Sequence, residues 1–127
     1  MNHRKETKMQ YLLLCCFNEE RWHKIPDAER DRIMREYGAF QQELAATGRY
    51  RAGAKLGSTQ TATTLREQGG KPVITDGPFA ETKEQLGGYH LIDCKDLDEA
   101  LAIARRIPTL AAGGVVEVRP VESGHPA

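Results

Sequence analysis

The chain is organised around one short stretch, QYLLLCCF at residues 10–17. An unbroken apolar run follows Gln10, and the polar residues Asn18, Glu19 and Glu20 end it. A run without alternating polar residues is typical of a strand whose two faces both lie against other groups. These residues therefore predict a central strand of a β-sheet.

Both faces of this strand are apolar, because successive side chains of a strand point to opposite sides of the sheet. One face carries Tyr11, Leu13, Cys15 and Phe17, and the other carries Leu12, Leu14 and Cys16. Each of the two faces is therefore expected to pack against other apolar groups.

Residues 26–47 have helical spacing. Their apolar residues recur at steps of four, three and four, which forms one stripe of an amphipathic helix: Ile33, Tyr37, Phe40 and Leu44. Pro26 suits a first helical turn, and Gly48 suits a stop just beyond the last. Gly38 inside a helix costs about 1 kcal/mol relative to alanine, so we expect close packing at that position.

A second helix is predicted after Asp96, because Asp96 and Glu99 have the spacing of a capping box. Its buried stripe is predicted to be Leu97, Ala100, Leu101, Ala104 and Ile107. Pro108 then ends the helix.

Five further strands are predicted from β-forming residues bounded by turn signals. They are residues 50–56, 60–66, 71–75, 89–94 and 115–118. Gly69 and Gly70 join the two strands on either side of them into a hairpin.

Without that inserted hairpin, the order strand, helix, strand, strand, helix, strand predicts an α+β, ferredoxin-like split β-α-β fold with an antiparallel sheet. Both helices then cover the same face of the sheet. The uncovered apolar face is predicted to meet the sheet of a second copy, because large exposed apolar patches are rare on monomers. We therefore expect a homodimer.

The size and charge of the chain limit its function. Its 127 residues fit one domain, predicted at residues 9–122, with tails at 1–8 and 123–127. Whether residues 1–8 belong to the native protein is left open. Equal numbers of basic and acidic residues, 18 each, argue against nucleic acid as a partner. No apolar run approaches a membrane span, and the polar start predicts a cytoplasmic protein.

The three cysteines are too few and wrongly spaced for a disulfide framework or a metal site. Cys15 and Cys16 are neighbours in a strand and point to opposite faces. All three, including Cys94, are predicted to be small buried hydrophobic residues. We expect neither a metal nor a cofactor.

The segment DGPFAETKEQLGGYH, residues 76–90, combines a turn signal with a charge cluster. Asp76, Gly77 and Pro78 suit a sharp turn, and Phe79 is predicted to anchor that turn in the core. Asp76 can instead contact a ligand. Lys83 belongs to a charged group that is either a solvated face or part of a binding loop.

Three other residues are candidates for a ligand site. Tyr37 lies on the buried helical stripe, where its hydroxyl needs a polar partner. Trp22, with His23, is placed in a loop after the first strand and is either a pocket lid or a packed anchor. His90 can titrate near neutral pH, and it must face the side of the sheet opposite to Tyr89.

The segments DGPFAETKEQLGGYHLID, LDEALAIARRIP, VEVRPV and YGAFQQELAATGR resemble the DGPF branch of the YCII-related family, over residues 9–121. The resemblance implies a dimeric α+β barrel. Some members occur beside genes for alternative sigma factors, and a few relatives are small-molecule enzymes, one of them a dehydrochlorinase. The catalytic pair proposed for the wider family is a His and an Asp, and Tyr37 and Ile107 occupy those positions here. The pair is therefore absent.

Two functions from different classes are compatible with these features. The first is small-molecule binding in a cleft of the homodimer, bordered by Tyr37, Asp76 and His90, with any catalysis left open. The alternative is a non-enzymatic regulatory or accessory protein, linked to an alternative sigma factor.

Overall fold

Six strands and three helices follow one another in the computed structural model, which describes residues 9–122. The strands are β1 (Met9–Phe17), β2 (Tyr50–Lys55), β3 (Thr63–Gln68), β4 (Lys71–Asp76), β5 (Gln85–Cys94) and β6 (Val115–Pro120). The helices are α1 (Glu19–His23), α2 (Asp27–Ala46) and α3 (Leu97–Ala104). The predicted tails at residues 1–8 and 123–127 lie outside the described residues.

Four strands form one antiparallel sheet in the order β2-β5-β1-β6, and β3 pairs only with β4 in a separate hairpin. This order confirms the predicted α+β, ferredoxin-like fold and the central position of β1. None of the helices within residues 9–122 has the length and hydropathy that a bilayer-spanning segment requires.

The inner face of β1 forms the centre of the core. Tyr11, Leu13 and Cys15 are buried there, and Ile92 of β5 lies beside them with no exposed surface. Side chains of α2 and α3 cover this face, so both helices lie on the same side of the sheet as predicted. Leu13 is also fully buried, which makes it the least solvent-accessible point of the first strand.

Helix α2 buries most of its predicted stripe. Ile33, Phe40 and Leu44 are buried, whereas Tyr37 is only partly so. Pro26 stands at the N-cap position, one residue before the first turn in which the sequence predicts it. Gly48 has φ +77°, a left-handed conformation that glycine adopts without steric cost, and it ends the helix as predicted.

Helix α3 begins as predicted, but part of the stripe that the sequence predicts to be buried is exposed. The Asp96 side chain accepts a hydrogen bond from the Glu99 backbone N–H, and Glu99 accepts one from the Lys95 N–H. That backbone donor, together with Arg49, lowers the pKa of Glu99. Leu97 and Leu101 are exposed, and Ile103 is buried instead: Ala100, Ile103 and Ala104 make a narrow face, and Ile107 reaches the core from the following turn.

The outer face of the sheet remains partly exposed along its two central strands. Leu12 is directly opposite Leu91, and Leu14 is opposite Tyr89, so four apolar side chains form one patch. All four are intermediate in exposure, in contrast to their buried neighbours on the inner face. Cys16 shares this face and is also only half-buried, so the prediction that all three cysteines are buried is wrong for it.

The β3–β4 hairpin extends from the sheet and exposes apolar side chains. Leu65 and Ile74 are cross-strand partners, and they are 66% and 69% exposed. The third strand starts later than predicted, at Thr63, because Ser58 caps a short 3-10 turn at Thr59–Thr61 by accepting from the Gln60 N–H.

Backbone contacts hold the turn after β4. Gly77 has φ +98° and donates its N–H to the Ala62 carbonyl at 2.7 Å. Thr64 Oγ1 donates to the Gly77 carbonyl, and Arg66 donates to the Phe79 carbonyl. The Phe79 side chain is 76% exposed, so the prediction that it anchors the turn in the core is wrong.

Candidate functional site

A cavity of about 310 Å³ lies between the sheet and α2. It is found where β1 and β2 end and β5 begins, and α1 closes one side of it. Its lining residues come from all of these elements and from one residue after α3: Cys15, Phe17, Trp22, Met34, Tyr37, Gly38, Gln41, Ala54, Lys55, Gly87, Gly88, His90 and Thr109.

Exposure divides the cavity into a closed end and a mouth. Cys15, Gly88 and His90 are buried, and they mark the closed end. Met34 and Gly38 of α2, with Ala54 and Lys55 of β2, are exposed. The mouth therefore opens between α2 and the edge strand of the sheet.

The closed end holds a hydrogen-bonded cluster of three side chains from three different elements. The Tyr37 hydroxyl lies 2.6 Å from His90 Nε2 and 3.3 Å from Cys15 Sγ. The Tyr37 and His90 rings are 5.4 Å apart, and Phe40 packs edge-on against both. This cluster supplies the polar partner that the sequence predicts for the Tyr37 hydroxyl.

His90 Nδ1 is buried and has no hydrogen-bond partner among the described residues. It lies beside Gly53, where an added Cβ would come within 2.9 Å of Nδ1 and 2.6 Å of the Tyr50 hydroxyl. A buried polar atom without a partner costs about 1–3 kcal/mol. Most buried polar atoms have a partner, so this exception calls for an explanation, such as a functional role.

Burial keeps the cluster uncharged at neutral pH. It raises the pKa of the Tyr37 phenol well above its ordinary value, and the Cys15 hydrogen bond raises it further. Burial also raises the pKa of the Cys15 thiol and lowers that of the His90 imidazole. The closed end of the cavity therefore offers neutral hydrogen-bonding groups instead of a formal charge.

Two glycines shape the cavity wall by letting other groups approach. An added Cβ on Gly87 would lie 2.1 Å from Phe17 Cε1, so the Phe17 ring rests directly on this glycine. An added Cβ on Gly88 would lie 2.9 Å from the Ala54 carbonyl. Both glycines belong to β5, which begins at Gln85 and so starts earlier than the strand predicted at residues 89–94.

The comparison with known proteins assigns a family. A YCII-related domain matches residues 9–123, which is nearly the whole chain. The chain belongs to the YCII-related family. It is also 43% identical over 118 residues to an uncharacterized protein of Rhizobium meliloti (strain 1021), and the match covers 89% of this chain and 92% of that protein.

The cavity of this YCII-related chain includes three of the predicted site residues. Tyr37, His90 and Trp22 all line it. Trp22 and His23 do not lie in a loop, as the sequence indicated, but in α1, which Asn18 caps by accepting from the Arg21 N–H. The Trp22 ring packs 5.7 Å from that of Phe17 and so serves as a side wall.

The other two predicted site residues do not line the cavity. Asp76 is exposed at the end of β4, and Lys83 is exposed in the loop that follows. The Lys83 carbonyl accepts a hydrogen bond from the Asn18 side chain, which ties this loop to the start of α1. A ligand role for Asp76 or Lys83 stays a prediction that the cavity does not support.

Other lining residues were missed or misinterpreted from the sequence. The sequence indicates that Cys15 is an ordinary small hydrophobic residue, and it carries no signal that selects Lys55 or Gln41. Cys15 lies two and four residues after Leu13 and Tyr11, so alternation along β1 places it on the same face as these residues. This is the only sequence signal that could place Cys15 on the face that the helices cover.

Ile107 is 1% exposed in the core, so no carboxylate completes a pair with Tyr37 there. Within residues 9–122 no cluster of potential metal ligands occurs.

The low pKa of His90 makes the stability of the fold depend on pH. The folded state holds the imidazole neutral, so the unfolded chain binds more protons as the pH falls below about 6.5. The contribution of the neutral His90 to the free energy of unfolding is therefore complete above that pH. It is expected to decline as the pH falls from there toward the lower pKa of the folded state. Urea unfolding of the wild type and His90→Gln between about pH 7.5 and pH 5 measures this.

In the His90→Gln variant this component of the pH dependence should be missing, while the contributions of all other groups remain. If the free energy of unfolding changed with pH in the same way for both proteins over that range, the result would contradict a neutral buried imidazole.

Proposed function

We propose that the protein binds a small molecule in the cavity between the sheet and α2, and that it represents the DGPF branch of the YCII-related family. The observation that carries the proposal is the form of the cavity. Apolar walls lead from an open mouth to a buried cluster of Tyr37, His90 and Cys15. Apolar cavities with a few convergent polar groups are the usual form of ligand sites.

The proposal concerns binding and leaves turnover open. Tyr37 and His90 are both neutral at physiological pH, so neither is a charged acid or base in the free protein. A hydroxyl has one donor and two acceptor positions, and contacts to His90 and Cys15 use two of these three. One hydrogen-bonding position of Tyr37 therefore remains for a ligand.

We further propose that two copies pack through the outer face of the sheet. Leu12, Leu91, Leu14 and Tyr89 form an apolar patch there. In a two-fold interface the same patch meets itself, so unpaired charges on it would repel.

The charges around this patch are already paired. Arg119 contacts Glu117 at 3.0 Å on β6, and on the opposite side Arg51 contacts Asp93, which is 6% exposed. Gln10 also donates to Asp93. A patch with balanced charges at its border can meet its own copy without net repulsion, which favours a second copy as the occupant.

The alternative function is a non-enzymatic regulatory or accessory role, in partnership with an alternative sigma factor. The exposed Leu65 and Ile74 on the hairpin favour a protein contact, because isolated two-stranded hairpins are barely stable in water. Copurification from the native host that recovers the sigma factor with the wild type, but not with Leu65→Lys, would support this alternative. Recovery of only the protein itself would contradict it.

A thermal-shift screen of small metabolites tests ligand binding. A ligand of the folded state raises stability by RT ln(1 + [L]/Kd), about 2.7 kcal/mol at a concentration of 100 Kd. Neutral compounds with a polar group that shift the wild type are expected to bind Tyr37→Phe at least about tenfold more weakly, because the cluster loses its hydroxyl.

Asp76→Ala is the control, since it removes a polar side chain outside the cavity. It is expected to keep the ligand-induced shift. The proposal fails if no compound shifts the wild type, or if the neutral polar compounds that do so bind Tyr37→Phe with unchanged affinity.

A further inference from the structure

Gly38 is a glycine for which neither the backbone nor the packing of the described residues gives a reason. It lies in the interior of α2, where glycine is less favourable than alanine. Its φ is not positive, so the helix does not require it. Apart from its chain neighbours and the nearby backbone of its own helix, no heavy atom of the described residues lies within 4 Å of a Cβ built at this position, so the close packing expected from the sequence is wrong.

The space beside Gly38 belongs to the cavity. Gly38 lines the mouth together with Met34 and Gln41, which lie one helical turn before and after it. Gly87 also lines the cavity, but there a Cβ would meet the Phe17 ring at 2.1 Å. The two glycines thus differ: Phe17 fills the space at Gly87, whereas the space at Gly38 is open.

The charges at the cavity restrict the ligand. Among the described lining residues Lys55 is the one with a formal charge, and none is a carboxylate. The closed end is neutral, as the lowered pKa of His90 and the raised pKa of Tyr37 require. A cationic ligand would lose hydration on entry without gaining an opposite charge, whereas an anion can pair with the Lys55 ammonium at the mouth.

We propose that Gly38 keeps the mouth open for a small, mainly apolar ligand with a single polar end, which is either neutral and meets Tyr37 at the closed end or negatively charged and pairs with Lys55 at the mouth. This inference rests on the proposed function and specifies its ligand class and the residue that admits the ligand. Glycine at position 38 then lowers the stability of the helix and gives the ligand access to the cavity. Such a loss of stability in favour of function is common at binding sites.

Calorimetric titration with octanoate, 1-octanol and octylamine tests the inference, because these probes share a chain and differ in charge. The wild type is expected to bind octanoate and 1-octanol, and to bind octylamine at least about tenfold more weakly. Lys55→Gln should reduce the affinity for octanoate to about that for 1-octanol.

Gly38→Leu should weaken octanoate and 1-octanol by at least about tenfold, because its side chain enters the open space. Ala39→Leu is the matched control: it places the same side chain at the next, exposed position, which does not line the cavity, and it should bind like the wild type. Gly38→Ala should raise the unfolding temperature by roughly 2–5 °C.

The possible failures are distinguishable. Unchanged affinity in Gly38→Leu, or octylamine binding as tight as that of octanoate, overturns this inference and leaves cavity binding intact. Failure of the wild type to bind any of the three probes overturns the ligand class, and if the metabolite screen also finds no ligand, the proposed function fails with it.

Discussion

Replacement of Leu12 by aspartate is expected to convert a particle of about twice the 14.2 kDa chain mass into one of the single chain mass. Leu12 lies in the centre of the outer face, directly opposite Leu91. In a two-fold dimer the substitution would bury a carboxylate from each copy in an apolar interface. Burial of an unpaired charge costs several kcal/mol, so the dissociation constant should rise by at least about 100-fold.

Light scattering after size-exclusion chromatography at micromolar concentration measures the mass of each variant. Ala102→Asp is the control, because it introduces the same side chain at an exposed position of α3, in the layer on the other side of the sheet. It should remain dimeric. Circular dichroism verifies that Leu12→Asp is folded, and a wild type at the mass of one chain would contradict the proposed dimer.

Gly87→Ala is expected to lower the free energy of unfolding by about 1–3 kcal/mol. The new Cβ would lie 2.1 Å from Phe17 Cε1 and 2.8 Å from Phe17 Cζ, so the ring must leave its position against the strand. The displaced ring would also disturb its contact with Trp22 and reduce the cavity. Gly38→Ala, in the wall of the same cavity, should change stability in the opposite direction.

Urea unfolding of four proteins distinguishes a steric clash between the new Cβ and Phe17 from a general loss of strand flexibility. They are the wild type, Gly87→Ala, Phe17→Ala and the double variant. If Phe17 causes the loss, Gly87→Ala should cost little in the Phe17→Ala background. An equal loss in both backgrounds would show that contact with Phe17 is not the cause.

The sequence predicts the scaffold well because its signals there are local or strictly periodic. The run at residues 10–17 indicates a central strand, and the spacing of Ile33, Phe40 and Leu44 indicates the helix that covers it. Asp96 specifies the start of α3 through its cap. Each of these features depends on a few neighbouring residues, so tertiary contacts do not change them.

The misassigned segments are those in which tertiary contacts outweigh the local signal. Gly87 and Gly88 lie before the strand predicted at residues 89–94, yet they belong to β5, where the Phe17 ring and the Ala54 carbonyl approach them closely. Phe79 is apolar, but hydrogen bonds of the Gly77 N–H and carbonyl to Ala62 and Thr64 hold its turn, so its ring is not needed in the core.

The candidate site could be predicted only in part. Alternation along β5 requires Tyr89 and His90 to face opposite sides, but the sequence does not say which of them meets the helices. The cluster joins Cys15, Tyr37 and His90 from three separate elements, and its geometry depends on the register that pairs Leu13 with His90. Register is a property of the assembled sheet, so no local pattern reveals it.

The central claim is that a small molecule binds inside one chain, between α2 and the sheet. The most direct measurement is a titration of isotopically labelled protein with a ligand from the thermal-shift screen, followed by backbone amide chemical shifts. The largest changes are expected at Gly38, Lys55, Gly88 and His90, with Leu65 and Ile74 of the hairpin unaffected. Changes confined to the hairpin or to the outer face around Leu12 would contradict the claim.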